Sequence, residues 1–91
     1  MKTKKIKILN KLTTIKILNK VAGDKLILGQ WKPLDREIQL KKAQAAINET
    51  LLHELLEAIK DDCDLNMSHQ TLSTLSATLG PILKQLGWKG I

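Results

Sequence analysis

The stretch Glu37–Ile59, EIQLKKAQAAINETLLHELLEAI, changes its apolar period part-way along, and this change decides the fold class. Up to Lys41, apolar and polar residues alternate, which predicts a β-strand with one buried face. After Lys41 the apolar residues recur at helical spacing, as at Leu51 and Leu55. The stretch therefore predicts a strand followed by an amphipathic helix over about residues 43–62.

Alternation in the residues before this stretch predicts further strands. The sequence IKILNK occurs twice, at Ile6–Lys11 and Ile15–Lys20, and predicts two short strands joined through Lys11–Thr14. Leu26–Leu28 is predicted to form a third strand, with Gly29–Lys32 as its candidate extension, before a proline-containing turn. Glu37–Leu40 is the fourth. Together these strands predict a small antiparallel sheet.

A second helix is predicted after a loop at Asp64–Met67. Ser68 is a favourable N-cap, and apolar residues recur on one helical face over about residues 68–86. Because proline lacks a main-chain donor and clashes with the preceding turn, Gly80-Pro81 is expected to kink or break this helix.

The expected fold class is therefore α+β, with a small antiparallel sheet at about residues 5–41 followed by the two helices. A chain of 91 residues has the size of one domain, so residues 1–91 are expected to form a single domain. The apolar fraction of 43% is typical of a globular chain.

Cysteine usage and the N-terminal sequence indicate a compartment. Cys63 is the single cysteine, which favours a reducing environment. Lysines interrupt the N-terminal apolar residues before they reach the length of a signal peptide, and no segment approaches a membrane span. We therefore expect a soluble, cytoplasmic protein.

Charge is unevenly distributed along the chain. Residues 1–42 hold twelve Lys and Arg against three acids, a net charge of +9, whereas residues 43–91 hold three against six. A basic half can meet nucleic acid or an acidic protein surface. Lysines also keep exposed strand faces and edges soluble. The second interpretation is favoured, because Arg is nearly absent and no aromatic residue interleaves the lysines.

The segment His53–Glu57, HELLE, differs by one residue from the zinc-peptidase motif H-E-x-x-H. Glu57 occupies the position of the second histidine. Residues four apart share a helix face, so His53 and Glu57 are expected to point the same way. Glutamate ligates zinc as histidine does, so this pair is a candidate for half of a metal site.

A metal site needs a third ligand, for which His69 at the start of the second helix is the best candidate. Cys63 and Asp64 are weaker candidates. The alternative is that His53 and Glu57 are ordinary polar residues on a solvated helix face, with His69 beside an N-cap. Spacing alone leaves both interpretations open.

The segments LLHELLEAI at residues 51–59 and SHQTLSTLSATLGPIL at 68–83 resemble small phage-encoded relatives of the ImmA/IrrE-type zinc metallopeptidases. The strand–turn–strand LILGQWKPLDREIQL at residues 26–40 is also similar, and the resemblance covers about residues 5–87. It implies a minimal zincin-like fold.

Carried over by position, the resemblance implies that His53 is a zinc ligand and Glu54 the general base. Glu57 stands where the family has its second histidine ligand. His69 matches the family's Ser-His pair, and it is the candidate third ligand because the second helix lacks a carboxylate further along.

Two functions follow as expectations. The first is a phage or mobile-element zincin-like protein, non-catalytic or weakly catalytic, that binds a specific host or phage protein and holds zinc or no metal. The alternative is an active zinc-dependent peptidase that cleaves one specific protein. Zincins bind peptide along a sheet edge, and Glu37–Leu40 is the candidate edge strand. The alternative, equally open from the sequence, is that it is an ordinary paired strand. The expected oligomeric state is a monomer or a homodimer, and exposure of Leu52 and Leu56 would favour the homodimer.

Overall fold

Four strands and then two helices follow one another along residues 2–91, which the computed structural model describes. Their bounds are β1 Lys2–Ile8, β2 Lys11–Leu18, β3 Gly29–Lys32, β4 Glu37–Lys41, α1 Ile47–Asp62 and α2 His69–Gln85. The predicted α+β class, with a sheet followed by two helices, is confirmed.

The sheet is mixed, with the strand order β1-β2-β4-β3. The β1–β2 and β3–β4 pairs are antiparallel, whereas β2 and β4 run parallel. The expectation of a fully antiparallel sheet is therefore wrong at one pairing. Alternating apolar residues identify the buried face of a strand, but they do not specify the direction of its neighbour.

Two predicted strand boundaries also differ from the structure. The first turn lies at Leu9 and Asn10, whose φ angles of 49° and 64° are those of a two-residue hairpin turn, and Lys11–Thr14 belongs to β2. The third strand consists of the candidate extension Gly29–Lys32 alone. Leu26, in the predicted strand, precedes it and is 87% exposed.

Strand β4 lies inside the sheet and not at its edge. Ile38 and Leu40 on β4 are fully buried, and β4 pairs with β2 on one side and β3 on the other. The expectation that Glu37–Leu40 is the edge strand is therefore wrong. The outer strands are β1 and β3, and β3 is the edge strand that packs against α1.

Helix α1 lies between the sheet and α2. The core joins Ile15, Ile38 and Leu40 of the sheet to Leu51 of α1. Helix α2 packs on the other side of α1, where Leu52 is buried. The exposed flank that suggested a homodimer is therefore absent at Leu52.

Helix α2 runs unbroken through Gly80-Pro81, so the expected break is absent. The Ser68 hydroxyl caps the helix as predicted, accepting a hydrogen bond of 3.1 Å from the Thr71 amide. Pro81 removes one main-chain hydrogen-bond donor, and the helix continues on both sides of it. Gly80 lies near Leu52, whose Cδ1 would be 3.6 Å from a Cβ at that position.

The acidic C-terminal end of α1 is explained by contacts with the sheet. Carboxylates there oppose the helix macrodipole. However, the Arg36 guanidinium donates two hydrogen bonds of 2.8 Å to the two oxygens of Asp62, and a third, of 3.0 Å, to the buried Thr13 hydroxyl. The Trp31 indole donates to Asp61 at 2.7 Å. These bonds tie the end of α1 to β2, β3 and the β3–β4 turn.

The Asp62→Asn variant is expected to lower the free energy of unfolding by about 1–3 kcal/mol, because it removes a bidentate, charge-assisted pair from a half-buried guanidinium. Arg36 holds the pKa of Asp62 below its usual range, so the paired form is the charged one. Asp35→Asn is the matched control, because Asp35 forms only an exposed pair with Lys32 at 3.3 Å. Urea denaturation measures both variants, and equal losses would contradict the assignment.

Candidate metal centre

His53, Glu57 and His69 lie together, as the sequence predicted. One ligand atom from each side chain lies within 4.8 Å of the others. The His53 and His69 rings meet edge to face, with centroids 5.0 Å apart, and His53 Nε2 lies 3.9 Å from Glu57 Oε1. The three residues that were candidates from spacing therefore form one cluster.

Each ligand position follows from a local feature of the chain. His53 and Glu57 are one helical turn apart on α1 and therefore share a face. His69 is the first residue of α2, immediately after the Ser68 cap. Burial of Leu72 and Ala58 at the α1–α2 contact holds the start of α2 against the middle of α1. Cys63 and Asp64 are not part of the cluster.

The donor set and its exposure fit a zinc ion. A tetrahedral zinc with bonds of about 2.0 Å needs ligand atoms about 3.3 Å apart, so ligand atoms that are now within 4.8 Å must close by up to about 1.5 Å. His69 is exposed, which leaves its ring free to make this adjustment, and His53 and Glu57 are half-buried. Three protein ligands open to solvent on one side are typical of zinc sites with an exchangeable fourth position.

Glu54 lies beside the ligand cluster and packs against the edge strand β3. It is 9% exposed and lies under β3. Burial, followed by the nearby charge of Glu57, raises its pKa to about 7, and the backbone amide of Trp31 opposes the shift. Near neutral pH the carboxyl group is therefore divided between its neutral and charged forms.

Gly29 permits the close approach of β3 to α1 that buries Glu54. A Cβ at this position would lie 2.6 Å from Thr50 Cγ2 and 3.3 Å from two atoms of Glu54. Any larger residue would require the Thr50 side chain or the edge strand to shift. The sequence did not indicate this role, because the residues that approach Gly29 lie on α1, far along the chain.

A second concave surface lies away from the ligand cluster. A cavity of about 750 Å³ is found at the N-terminal end of α1, between Ile47, Pro81 and Trp88. None of the three ligand candidates lines this cavity. The size of a cavity therefore does not identify the candidate metal centre.

No family model, curated protein or solved structure matches this chain. The relationship to ImmA/IrrE-type metallopeptidases therefore stays a prediction from the quoted motifs. Among the described residues, neither helix combines the length and apolarity needed to cross a bilayer.

The Glu54→Gln variant is expected to be more stable than the wild type at pH 8, by about 2–3 kcal/mol in metal-free buffer. A carboxyl group with a raised folded-state pKa binds more protons when folded, so wild-type stability falls as pH rises from about 4.5 to about 7. The Glu54→Gln variant has no carboxyl group to titrate at this position, so its stability advantage over the wild type disappears below about pH 4.5.

Chemical denaturation at a series of pH values measures the difference between wild type and Glu54→Gln. Glu49→Gln on the exposed start of α1 is the matched control and should keep the wild-type slope. Parallel profiles of stability against pH for the wild type and Glu54→Gln would show that burial does not raise the pKa of Glu54.

Proposed function

We propose that this protein is a zincin-like zinc-binding protein that acts by binding a specific protein partner. The observation that carries the proposal is the convergence of His53, Glu57 and His69, with one ligand atom of each within 4.8 Å of the others. Following the resemblance, we propose that the protein belongs to a phage or mobile element and works in the host cytoplasm.

The chemistry of the donors favours a nitrogen-binding metal such as zinc over magnesium and calcium. Two imidazoles and one carboxylate suit zinc, whereas magnesium and calcium prefer oxygen donors alone. Zinc in such a site supplies Lewis acidity and lowers the pKa of water. Glu57 adds a negative charge that a histidine would not, which weakens that effect.

Two features favour binding over catalysis. Glu54, which the resemblance assigns as general base, is almost fully buried under β3, so its carboxyl group is poorly placed to exchange protons with a substrate. A peptidase also stabilises the developing oxyanion with a second donor. The chain has no tyrosine, and both of its histidines are in the proposed ligand set.

Edge strand β3 is the proposed docking position for the partner. Its outer side has no neighbouring strand in the sheet, and the exposed residues Leu26–Leu28 immediately precede it. An extended segment of the partner would add to β3 through main-chain hydrogen bonds. Nucleic acid is the less favoured partner, because the lysines of β1 and β2 have no aromatic residues among them.

The alternative function is a zinc-dependent peptidase. It is favoured by one observation, which is that a His–His–carboxylate set is also found in catalytic zinc sites, with Glu54 adjacent to His53 in sequence. In this case Glu54 would act as general base. Zinc-dependent cleavage of an unfolded test protein that stops in Glu54→Gln would establish the alternative.

The purified, untagged protein is expected to hold one zinc ion per chain, measured by elemental mass spectrometry after dialysis. His53→Ala and His69→Ala should each lose the metal, because two remaining ligands do not hold zinc firmly. Zinc should also raise the thermal midpoint of the wild type and leave that of the two variants unchanged.

Cys63→Ser and Asp64→Asn are the matched controls for the zinc measurement, since both residues lie near the cluster in sequence and outside it in space. Each should keep one zinc ion per chain. A wild-type protein without zinc after exposure to it would refute the proposal, as would a His69→Ala variant that retains the full amount.

A further inference from the structure

The cavity of about 750 Å³ lies where the start of α1 meets the end of α2, and none of the candidate zinc ligands lines it. We call it the α1–α2 cavity. Its walls are residues 45–49 at the start of α1, then Gly80, Pro81 and Lys84 of α2, and residues 87–89 after α2. Sites for small molecules have volumes of about 300–1,000 Å³, so this cavity has the size to hold one.

The end of α2 is folded so that Trp88 lines one wall of the cavity. Gly87 has a φ of 95°, and its amide donates to the Lys84 carbonyl at 3.1 Å. The Trp88 amide donates to the Leu83 carbonyl at 2.9 Å. These two bonds and the left-handed glycine form a helix-capping motif that ends α2 and redirects the chain. Main-chain hydrogen bonds therefore hold the Trp88 backbone in position.

Asn48 of α1 holds the segment after Trp88 from the other side. Its side-chain nitrogen donates to the Lys89 carbonyl at 3.4 Å, and its side-chain oxygen accepts from the Ile91 amide at 3.0 Å. Gly90 lies directly against this side chain with a φ of 74°, so a Cβ there would overlap Asn48. Because contacts within the chain fix both walls, a ligand would enter a cavity that already exists, which lowers the ordering cost of binding.

The walls of the cavity are mainly apolar. Ile47, Pro81 and Trp88 supply large apolar surfaces, and the short side chains of Ala45 and Ala46 leave space between them. Trp88 is half-buried, because it packs against the core and also lines the cavity. Aromatic groups pack favourably on the face or edge of an indole. The main part of a ligand that fits here is therefore an apolar group such as an aromatic ring.

Positive charge predominates at the cavity. Lys84 and Lys89 line it, and neither forms a salt bridge within residues 2–91. Glu49 is the one acidic lining residue. The first main-chain amides of α1 add partial positive charge, because Ala46 at the N-cap offers them no side-chain acceptor. An anionic group on the ligand would be attracted to these donors.

Other occupants fit these features less well. Inorganic phosphate would leave the apolar walls without a partner, and a neutral apolar molecule would make no use of the two lysines. A nucleic-acid strand needs a charged groove that follows several nucleotides, which is longer than one cavity.

We propose that the α1–α2 cavity binds a small organic anion, in which an aromatic or branched aliphatic body carries one carboxylate group. The body would lie between Ile47, Pro81 and Trp88, and the carboxylate would pair with Lys84 or Lys89. The site is separate from the candidate metal centre and does not depend on zinc.

Titration with 1-naphthaleneacetate, followed by nitrogen–proton correlation NMR, tests the proposal. The chain has two tryptophans, whose indole N–H signals report two separate places. The signal of Trp88 is expected to shift and saturate, whereas that of Trp31, which is bonded to Asp61, should stay in place. The dissociation constant is expected to be on the order of 0.1 mM, as for a small ligand that is not optimised for its site. 1-Naphthaleneacetamide has the same shape without the charge and should bind about tenfold more weakly.

Charge variants test which lysines hold the carboxylate. Lys84→Gln with Lys89→Gln should weaken binding of 1-naphthaleneacetate about tenfold and leave the affinity for 1-naphthaleneacetamide unchanged. Lys5→Gln with Lys7→Gln is the matched control, since it removes the same charge from exposed positions on β1 and should change neither affinity. Glu49→Gln should strengthen binding of 1-naphthaleneacetate about twofold, because it removes the one like charge from the cavity. Circular dichroism verifies that each variant is folded.

Four results would overturn the proposal. One is an unshifted Trp88 indole signal in folded protein at about 5 mM 1-naphthaleneacetate. Another is equal affinity for the acetate and the acetamide, which would make the cavity a neutral apolar site. A third is equal weakening in the two lysine pairs, which would show that the net charge of the chain is the cause. The fourth is displacement of 1-naphthaleneacetate by equimolar inorganic phosphate, which would assign the two lysines to a simple anion site.

Discussion

The packing of α1 against β3 and β4 is the constraint on which the rest of the structure depends. Gly29 lets β3 approach the middle of the helix, and the bidentate contact between Arg36 and Asp62 holds its C-terminal end. Because α2 packs mainly on α1, the position of α1 also sets that of α2. The candidate ligands come from these two helices, so their position relative to the sheet follows from that of α1.

The position of α1 also places neighbouring side chains on different sides of the helix, one side toward α2 and the other toward β3. His53 faces α2 and solvent, whereas Glu54 turns under β3, where burial raises its pKa to about 7. Glu57 returns to the side of His53 one turn later. Glu57 is half-buried beside His53 and is therefore a candidate metal ligand. Glu54 is buried, so its carboxyl group is shielded from solvent. This division is the physical reason for favouring binding over catalysis.

Local features of the chain predicted much of this arrangement. The change of period after Lys41 located the passage from sheet to helix, and Ser68 located the start of α2. His69 was assigned to the cluster because a short connection between antiparallel helices returns the chain to the first helix. Each of these inferences depends on neighbours in sequence.

Two errors are local, the first hairpin turn and the start of β3. The others concern contacts between distant segments. The parallel pairing of β2 with β4 depends on where the chain crosses between β2 and β3, which alternation does not encode. Asp62 opposes the dipole of α1, and its partner, Arg36, is twenty-six residues earlier in the chain. Gly29 gave no distinctive signal, since its role is defined by Thr50 on the other element.

The most direct test of the central claim is the zinc K-edge X-ray absorption spectrum of the protein loaded with one equivalent of zinc. We expect nitrogen and oxygen neighbours at about 2.0 Å, imidazole scattering from two histidines, and no sulfur. Loss of one imidazole contribution in His69→Ala would agree with ligation across the two helices. A sulfur neighbour at about 2.3 Å, from Cys63, or a shell of oxygen alone would contradict it.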